Sequence, residues 1–273
     1  MTTYAGNKVF QMVAERGWSR GFGNLWQGEI SKWFRSSKWL KHLALWLVVV
    51  NLMMLFMAFA AAEEAAEEGG EGPEFLFMFG IFGGMFVAFG VMIIMQRTIV
   101  GEKREGTAAW VLSKPVTRSA FVVSRLLGNS LGILVTSTFI PAILVYITAG
   151  LLTPLGWLPP LGFTAGVLIF ALHVFFWLTL TLMLGTFFEP TAGVIAVPMA
   201  LYFALWFIPG LVPIIQEVNP LVLTFADPDV MQSIGASLMG GTPVTSWLPA
   251  ITTGVLCVVF IAVSIWRFNR QEF

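Results

Sequence analysis

The first long apolar stretch of the chain reads HLALWLVVVNLMMLFMAFAAA, from His42 to Ala62. A helix crosses the hydrocarbon core of a bilayer with roughly 20 mostly apolar residues, so this stretch is long enough for one span. It follows 41 mixed, polar-rich residues, and it is too long for the apolar part of a cleaved signal peptide. We therefore predict that it stays in the membrane as the first transmembrane helix.

The composition of the whole chain supports this interpretation. Hydrophobic residues make up 57% of the 273 residues, charged residues make up only 11%, and the mean hydropathy is +0.83. Because a soluble domain carries about 25% charged residues, the composition indicates an integral membrane protein. The single cysteine, Cys257, allows no disulfide bond within the chain.

Five more apolar runs have the length of a span. None of the six runs carries an Asp, Glu, Lys or Arg near its centre, where one such residue costs about 2.5–3.5 kcal/mol. Glu189-Pro190 predicts a tight turn between the fourth and fifth runs, because proline breaks a helix and glutamate resists burial in lipid. The sequence thus predicts an all-α integral membrane protein with six transmembrane helices. The five further runs are Phe75 to Met95, Arg125 to Leu152, Phe163 to Phe188, Thr191 to Val212 and Pro249 to Trp266.

The basic residues predict the orientation in the membrane. All 15 Lys and Arg residues lie before the first run, between Arg97 and Arg125, or at Arg267 and Arg270. Short cytoplasmic connections are rich in Lys and Arg, so we expect both termini in the cytoplasm and the chain in the plasma membrane. The glutamates of residues 63–74 fall on the opposite side, where we interpret them as a mobile, solvated loop without the spacing of a calcium site.

The segment before the first run shows a helical pattern. From Asn24 to Leu40, large apolar residues recur at helical spacing, while Glu29 and several cations fall on other faces. Asn24, followed three residues later by Gln27, resembles a capping box. We predict an amphipathic helix that lies in the inner membrane interface, within an N-terminal cytoplasmic segment of residues 1–41.

The long connection before the last run, residues 213–248, also contains a predicted helix. Asp227-Pro228 is a suitable helix start, and Gly240-Gly241 is a suitable end. The chain therefore divides into the N-terminal segment and a six-helix domain, residues 42–273, with a helical outer loop before the last span.

The inner connection between the second and third runs reads RTIVGEKREGTAAWVLSKPVTR, from Arg97 to Arg118. Its charged residues precede Gly106-Thr107, an apolar turn follows, and Pro115 ends that turn. This order predicts two short helices, charged at the tip and apolar at the base, which can transmit a push from a soluble partner to the membrane helices. The alternative is a basic loop that only secures topology, since charge runs are most often solvated faces.

The residues Glu102-x-x-Glu105-Gly106-Thr107 and Leu112-Ser113-x-Pro115-Val116-x-Arg118 resemble the cytoplasmic signature of the type-2 ATP-binding-cassette permeases, the ABC-2 family. The ending from Arg267 to Phe273 and the layout of the whole chain are similar to that family too. One departure is Arg125, where many relatives carry Lys; either cation is expected at the inner interface.

The resemblance implies a permease subunit of an ATP-driven transporter, most simply an exporter, that is not itself an enzyme. ATP and Mg would be bound by separate ATP-binding-cassette ATPase subunits, and a second permease subunit would complete a homodimer or heterodimer. The remaining expected contacts are membrane lipids, and no nucleic acid is expected. The chain has no Gly-x-x-x-x-Gly-Lys-Ser/Thr phosphate loop, since Thr107 stands where the lysine would follow Gly106, so no cofactor is expected in it.

The resemblance also assigns a role to the connection of residues 97–120. It implies a coupling segment seated in a groove of the ATPase subunit. The residues that it places at this interface are Glu102, Lys103, Arg104, Glu105, Gly106, Thr107, Leu112, Pro115 and Arg118.

Two features inside the runs admit more than one interpretation. His173, in the fourth run, either lines a substrate path or is a neutral ring hydrogen-bonded between helices. Gly80 and Gly84 in the second run, and Gly128 and Gly132 in the third, have the four-residue spacing of close helix contacts. Those contacts can form within the subunit or across a dimer.

The sequence also bears on three other classes of function. An ion-coupled secondary transporter usually needs charged groups in mid-membrane, where these runs offer only His173. A non-catalytic membrane scaffold subunit also remains open. A membrane-embedded enzyme is disfavoured, because no paired carboxylates, metal-ligand spacing or nucleophile–base pair occurs at one membrane depth.

Overall fold

A computed structural model of the chain describes residues 17–68, 73–208, 212–225 and 233–271. Within these ranges the chain forms helices and turns and contains no strand. Five of the described helices are long and apolar enough to cross a membrane, and they match five of the six predicted spans. They are α2 (Lys38–Glu63), α3 (Glu74–Arg104), α5 (Arg118–Leu152), α6 (Pro160–Phe187) and α10 (Leu248–Asn269). The shorter helices are α1 (Phe22–Phe34), α4 (Thr107–Leu112), α7 (Thr191–Phe207), α8 (Pro213–Gln216) and α9 (Ile234–Gly240).

The predicted fifth span is shorter than expected. α7 is apolar but has only 17 residues and carries Pro198 in its interior, where the ring removes a backbone hydrogen bond. At 1.5 Å per residue it measures about 26 Å, against roughly 30 Å for the hydrocarbon core. Part of the predicted run, residues 209–211, lies outside the described residues. Among the described residues, the structure therefore shows five helices of spanning length and one shorter apolar helix.

α6 is the central helix of the fold. In its apolar window 72% of the residues are buried, against 22–44% in the other four long helices. A helix that is apolar all round is typical of such a buried position. α3, α9 and α10 pack against it, and the buried Trp177 and Cys257 lie in the cluster between α6 and α10.

The N-terminal helix begins and ends earlier than predicted. Gly21, with φ at 81°, precedes α1, and a turn at residues 35–37 separates α1 from α2. Asn24 therefore lies inside the helix, and the predicted capping box at that residue was wrong. Glu29, which the helical pattern places off the apolar face, is nevertheless only 5% exposed.

α1 packs along α5, and two glycines of α5 allow the contact. A Cβ atom at Gly128 would collide with the Cβ of Glu29, and one at Gly132 would collide with the ring of Trp33. The indole Nε1 of Trp33 donates a hydrogen bond to Asn129 Oδ1 at 3.1 Å. The glycine pair predicted to support a close helix contact thus makes that contact within the subunit.

Three of the long helices contain a π-helical turn, at Leu47–Leu52 in α2, Ile81–Phe86 in α3 and Val135–Phe139 in α5. Such a turn inserts one extra residue and re-aims the side chains that follow. Within the first of these turns, Asn51 Nδ2 donates to the carbonyl oxygen of Pro141, just after the third turn, at 2.9 Å. This hydrogen bond ties α2 to α5.

The acidic stretch after the first span and the connection before the last span each match the prediction only in part. The helix of the first span continues through Met53–Glu68, so part of the acidic stretch predicted to be a mobile loop is helical, as its Ala and Glu content favours. In the connection before α10, Ser233 caps α9 by accepting a hydrogen bond from Ala236 N at 3.1 Å. The predicted end at Gly240-Gly241 is confirmed, while the predicted start at Asp227-Pro228 lies outside the described residues.

Candidate functional site

The connection of residues 97–120 contains two short helices joined by a glycine turn. The first, Val100–Arg104, ends α3, and the second is α4. Gly106 between them has φ at 69°, in the left-handed region that favours glycine. The predicted pair of short helices is therefore confirmed.

One side of this connection is exposed, and we call Arg104, Glu105, Gly106 and Trp110 the exposed tip. Trp110 is 65% exposed, and Lys114 Nζ lies 5.2 Å from the centre of its ring. The opposite side of α4 is anchored in the protein through the buried Ala108 and Val111. Aromatic residues and arginine are enriched at protein interfaces, so the exposed tip has the composition of a contact surface.

Glu102, which the family resemblance placed at a partner interface, points into the protein. Its carboxylate lies 2.9 Å from Arg125 Nη2 and 3.8 Å from Lys32 Nζ. Arg125 Nη1 pairs in turn with Glu29, and Glu29 Oε1 lies 2.8 Å from Lys32 Nζ. These four residues, two acidic and two basic, form an ion network that joins α1, α3 and α5.

Arg125 is the centre of this ion network. Its side chain is 5% exposed, and its two Nη atoms contact two different carboxylates. The planar, forked guanidinium suits this arrangement, whereas a lysine ammonium offers a single point of charge. Buried charges are stable only when they are paired. The two contacts of Arg125 therefore keep α1 and α3 packed against α5. A cavity of about 330 Å³ beside the network is lined by Glu29, Glu102 and Arg125 together with Arg97 and Asn129.

Two predicted interface residues tie the connection to distant helices. Lys103 Nζ donates to the carbonyl oxygen of Phe188 at 3.4 Å, in the turn between α6 and α7. Arg118 Nη1 donates to the carbonyl oxygens of Asn269 at 2.7 Å and Gln271 at 2.6 Å, at the end of α10. A cation at a helix C-terminus is favourable because the last carbonyl groups there lack partners.

The predicted interface residues therefore divide into two groups. Thr107 and Leu112 are half-buried, as are the inward-facing Glu102, Lys103 and Arg118. Arg104, Glu105, Gly106 and Pro115 are exposed. The exposed group is the one that can meet a partner directly, and the other group connects it to the membrane helices.

His173 is fully enclosed by protein, with 0% exposure. Its Nδ1 lies 3.0 Å from the carbonyl oxygen of Pro220, and its Nε2 lies 3.1 Å from Trp177 Nε1. Because a carbonyl oxygen only accepts and an indole nitrogen only donates, the ring is neutral and carries its proton on Nδ1. This geometry favours the hydrogen-bonding role of His173 over the role in a substrate path.

The same histidine–tryptophan pair occurs a second time. Trp46 Nε1 donates to His42 Nε2 at 3.0 Å, and His42 Nδ1 lies 2.5 Å from Thr136 Oγ1 of α5. Both pairs have the sequence His-x-x-x-Trp, a spacing that places the two rings on one helix face. Sequence reasoning missed this repeated device, although the spacing was visible.

Sequence reasoning also missed the ion network at Arg125. The available signal was the spacing of Arg125, Gly128 and Gly132, which share one face of α5. A helix that packs against these two glycines also passes Arg125. Glu29 lies on the same face of α1 as Trp33, four residues later, and so it meets that arginine.

The described residues contain five helices of spanning length, and buried charges tie the exposed tip to them; these features define a multi-pass membrane protein. The family model for "ABC-2 family transporter protein" matches residues 56–273, and the chain belongs to this family. It is thus a membrane permease subunit of the ABC transporter class. The match begins inside α2, so α1 and Glu29 lie before the matched region. No curated protein matches the chain at a significant level.

Proposed function

We propose that this chain is the membrane-spanning subunit of an ATP-driven exporter and that its exposed tip docks on a separate ATPase subunit. ATP and Mg are then bound by the ATPase subunits, and a second permease subunit, identical or related, completes the pathway. All six apolar segments, α7 included, cross the plasma membrane, and both termini lie in the cytoplasm. Family membership supports the permease role, and the concentration of Lys and Arg around residues 97–125 supports this orientation.

One observation carries the proposal: the exposed tip is fastened to the membrane helices through buried charges. Glu105 and Trp110 are exposed, while Glu102 on the same connection pairs with Arg125 of α5. A loop that only secures topology needs charge, but it does not need a buried link to two other helices. This arrangement favours the coupling interpretation over the topological one.

The ion network gives the coupling a physical route. ATP binding closes the ATPase pair and displaces the exposed tip. Pulling Glu102 away from Arg125 would break a largely buried ion pair, and breaking such a pair costs about 3–5 kcal/mol of free energy. The displaced tip therefore moves α5 with it, and through Glu29 it also moves α1.

The orientation of α1 follows from the same arrangement. Its inner face packs on α5, while Trp26 is 38% exposed and Trp18, just before the helix, is 63% exposed. Tryptophan is enriched at the level of the lipid headgroups. We place α1 in the inner interface, held between the headgroups and α5.

The test reverses one charge at the exposed tip. In Glu105→Arg, we expect stimulation of the ATPase by the permease to fall at least about tenfold, equivalent to about 1.4 kcal/mol, because the sign of the charge at the proposed contact is reversed. Glu217→Arg makes the same change at an exposed residue in the connection before α10 and should leave stimulation unaltered. The measurement is ATP hydrolysis by the complex purified from native membranes, together with the melting temperature of each variant.

Two outcomes would contradict the proposal. Full stimulation in a folded Glu105→Arg variant would show that the exposed tip does not contact the ATPase. Transport that continues in vesicles without any ATPase would instead favour the ion-coupled secondary transporter.

A further inference from the structure

A second cavity, of about 660 Å³, lies on the other side of the short helix Val100–Arg104. It is bounded by this helix, by the turn between α6 and α7, and by the end of α10. Its volume falls in the range of ligand pockets, about 300–1,000 Å³. The charged residues that line it are Lys103, Arg104, Arg267, Arg270 and Glu189.

The positive charges of this cavity are not balanced within the described part of the chain. Four cations line it against one carboxylate, that of Glu189. The Nε atom of Arg267 and the Oε1 atom of Gln271 are buried there without a hydrogen-bond partner in the described residues. A helix C-terminus favours nearby cations, which explains the presence of Arg267 and Arg270 at the end of α10. It does not account for Lys103 and Arg104, which come from α3.

Exposed aromatic rings in contact with two of the lining arginines indicate what kind of anion would enter. The guanidinium of Arg270 lies 4.5 Å from the ring of Trp266, and that of Arg267 lies 5.5 Å from the ring of Phe187. Trp266 is 51% exposed and Phe187 is 42% exposed. Exposed apolar rings beside a cationic cavity favour a molecule that carries both an anionic group and an acyl chain, because the acyl chain can cover the rings. Basic pockets between membrane helices on the cytoplasmic side are known to take lipid headgroups.

We propose that this cavity binds the phosphate headgroup of an anionic phospholipid. Arg267 and Arg270, held over the aromatic rings, face the phosphate from α10, and Lys103 and Arg104 face it from α3. The acyl chains lie along Trp266 and Phe187. The assignment to the cytoplasmic leaflet rests on the orientation given under the proposed function; the binding itself does not.

The consequence for the transporter is that the lipid bridges the two elements that the cavity separates. Lys103 precedes the exposed tip and Arg104 is part of it, whereas Arg267 lies in the last turn of α10 and Arg270 directly follows that helix. A bound phosphate neutralises repulsion between these two pairs of cations. Anionic lipid should therefore hold the short helix Val100–Arg104 close to the end of α10.

The test counts lipids bound to the purified full-length chain by native mass spectrometry. The probes are dioleoylphosphatidylglycerol, which is anionic, and dioleoylphosphatidylcholine, which is not. The double variant Arg267→Gln, Arg270→Gln should bind the anionic lipid about 25-fold more weakly than the wild type, since one cation near an anionic headgroup contributes about a factor of five. Lys38→Gln, Lys41→Gln removes two exposed cations that do not line the cavity, and it should retain the affinity.

Each outcome decides for or against the lipid. An equal loss in both double variants, or no loss in either, would overturn the site. Complete displacement of the lipid by inorganic phosphate would show that the cavity takes a free anion instead. If the Arg267 and Arg270 variant kept its lipid but no longer co-purified with an ATPase, the cavity would be a protein contact. Because lipid binding is measured on the permease alone, a failure of the coupling proposal would leave this result unaffected.

Discussion

Among the residues around the 97–120 connection, Arg125 should be the one whose substitution lowers the thermal stability most. In Arg125→Gln, the carboxylates of Glu29 and Glu102, whose side chains are 7% and 17% exposed, lose their shared cation. Lys32 then remains as their only cationic partner within the ion network, and its side chain is 56% exposed. The substitution therefore removes the buried partner that both carboxylates share and leaves them with only an exposed ammonium group.

The magnitude follows from this burial. Removing one partner of a buried ion pair costs about 3–5 kcal/mol. For a chain of this size, about 2–4 °C of melting temperature is lost per kcal/mol, so Arg125→Gln should melt about 6–20 °C below the wild type. Lys32→Gln removes the same charge from the same network, but an exposed pair contributes about 0–1 kcal/mol, so its shift should stay below about 4 °C.

The assay is thermal unfolding of the three proteins in one detergent, followed by tryptophan fluorescence. Adding Glu29→Gln to Arg125→Gln should restore part of the loss, because a single carboxylate then remains and Lys32 can pair with it. The single variant Glu29→Gln completes a double-mutant cycle, and coupling between residues in contact typically amounts to about 0.5–3 kcal/mol, which such a cycle can resolve. Melting temperatures of Arg125→Gln and Lys32→Gln within about 2 °C of each other would refute the reasoning.

Two further predictions concern helix packing and the histidine–tryptophan pairs. Gly132→Leu should separate α1 from α5, because the new side chain enters the space of the Trp33 ring. Limited proteolysis at residues 35–37 should then be faster, whereas Gly28→Leu, at an open position of α1, should leave the rate of proteolysis unchanged. Trp177→Phe leaves the buried Nε2 of His173 without its hydrogen-bond donor. The free energy of unfolding should fall by about 1–3 kcal/mol, and the melting temperature by about 2–12 °C. The same substitution at the exposed Trp110 should have little effect, and equal shifts would contradict the role of the pair.

The long helices could be predicted from the sequence because their signal is local. An apolar run of sufficient length must be helical in lipid, whatever surrounds it. Helix ends were harder to predict, because they depend on contacts made after folding. α5 begins at Arg118 rather than Arg125, since Thr117 caps it and Arg118 is held by the end of α10.

The candidate site could be predicted only in part, for the same physical reason. The two short helices and Gly106 are local features, and they were visible in the 97–120 stretch. The ion pair between Glu102 and Arg125, and the approach of Glu29, depend on α1 folding back along α5. A single sequence shows which charges exist but not which ones face each other across the fold.

The burial of Cys257 determines how this protein can be labelled. It is the only cysteine in the chain, it is 3% exposed, and a buried thiol without an activating cation reacts slowly. The natural sequence is therefore already a suitable background for thiol-specific probes. A cysteine introduced at Glu105 would carry a spin label or fluorophore alone, and its spectrum would report when that position becomes covered.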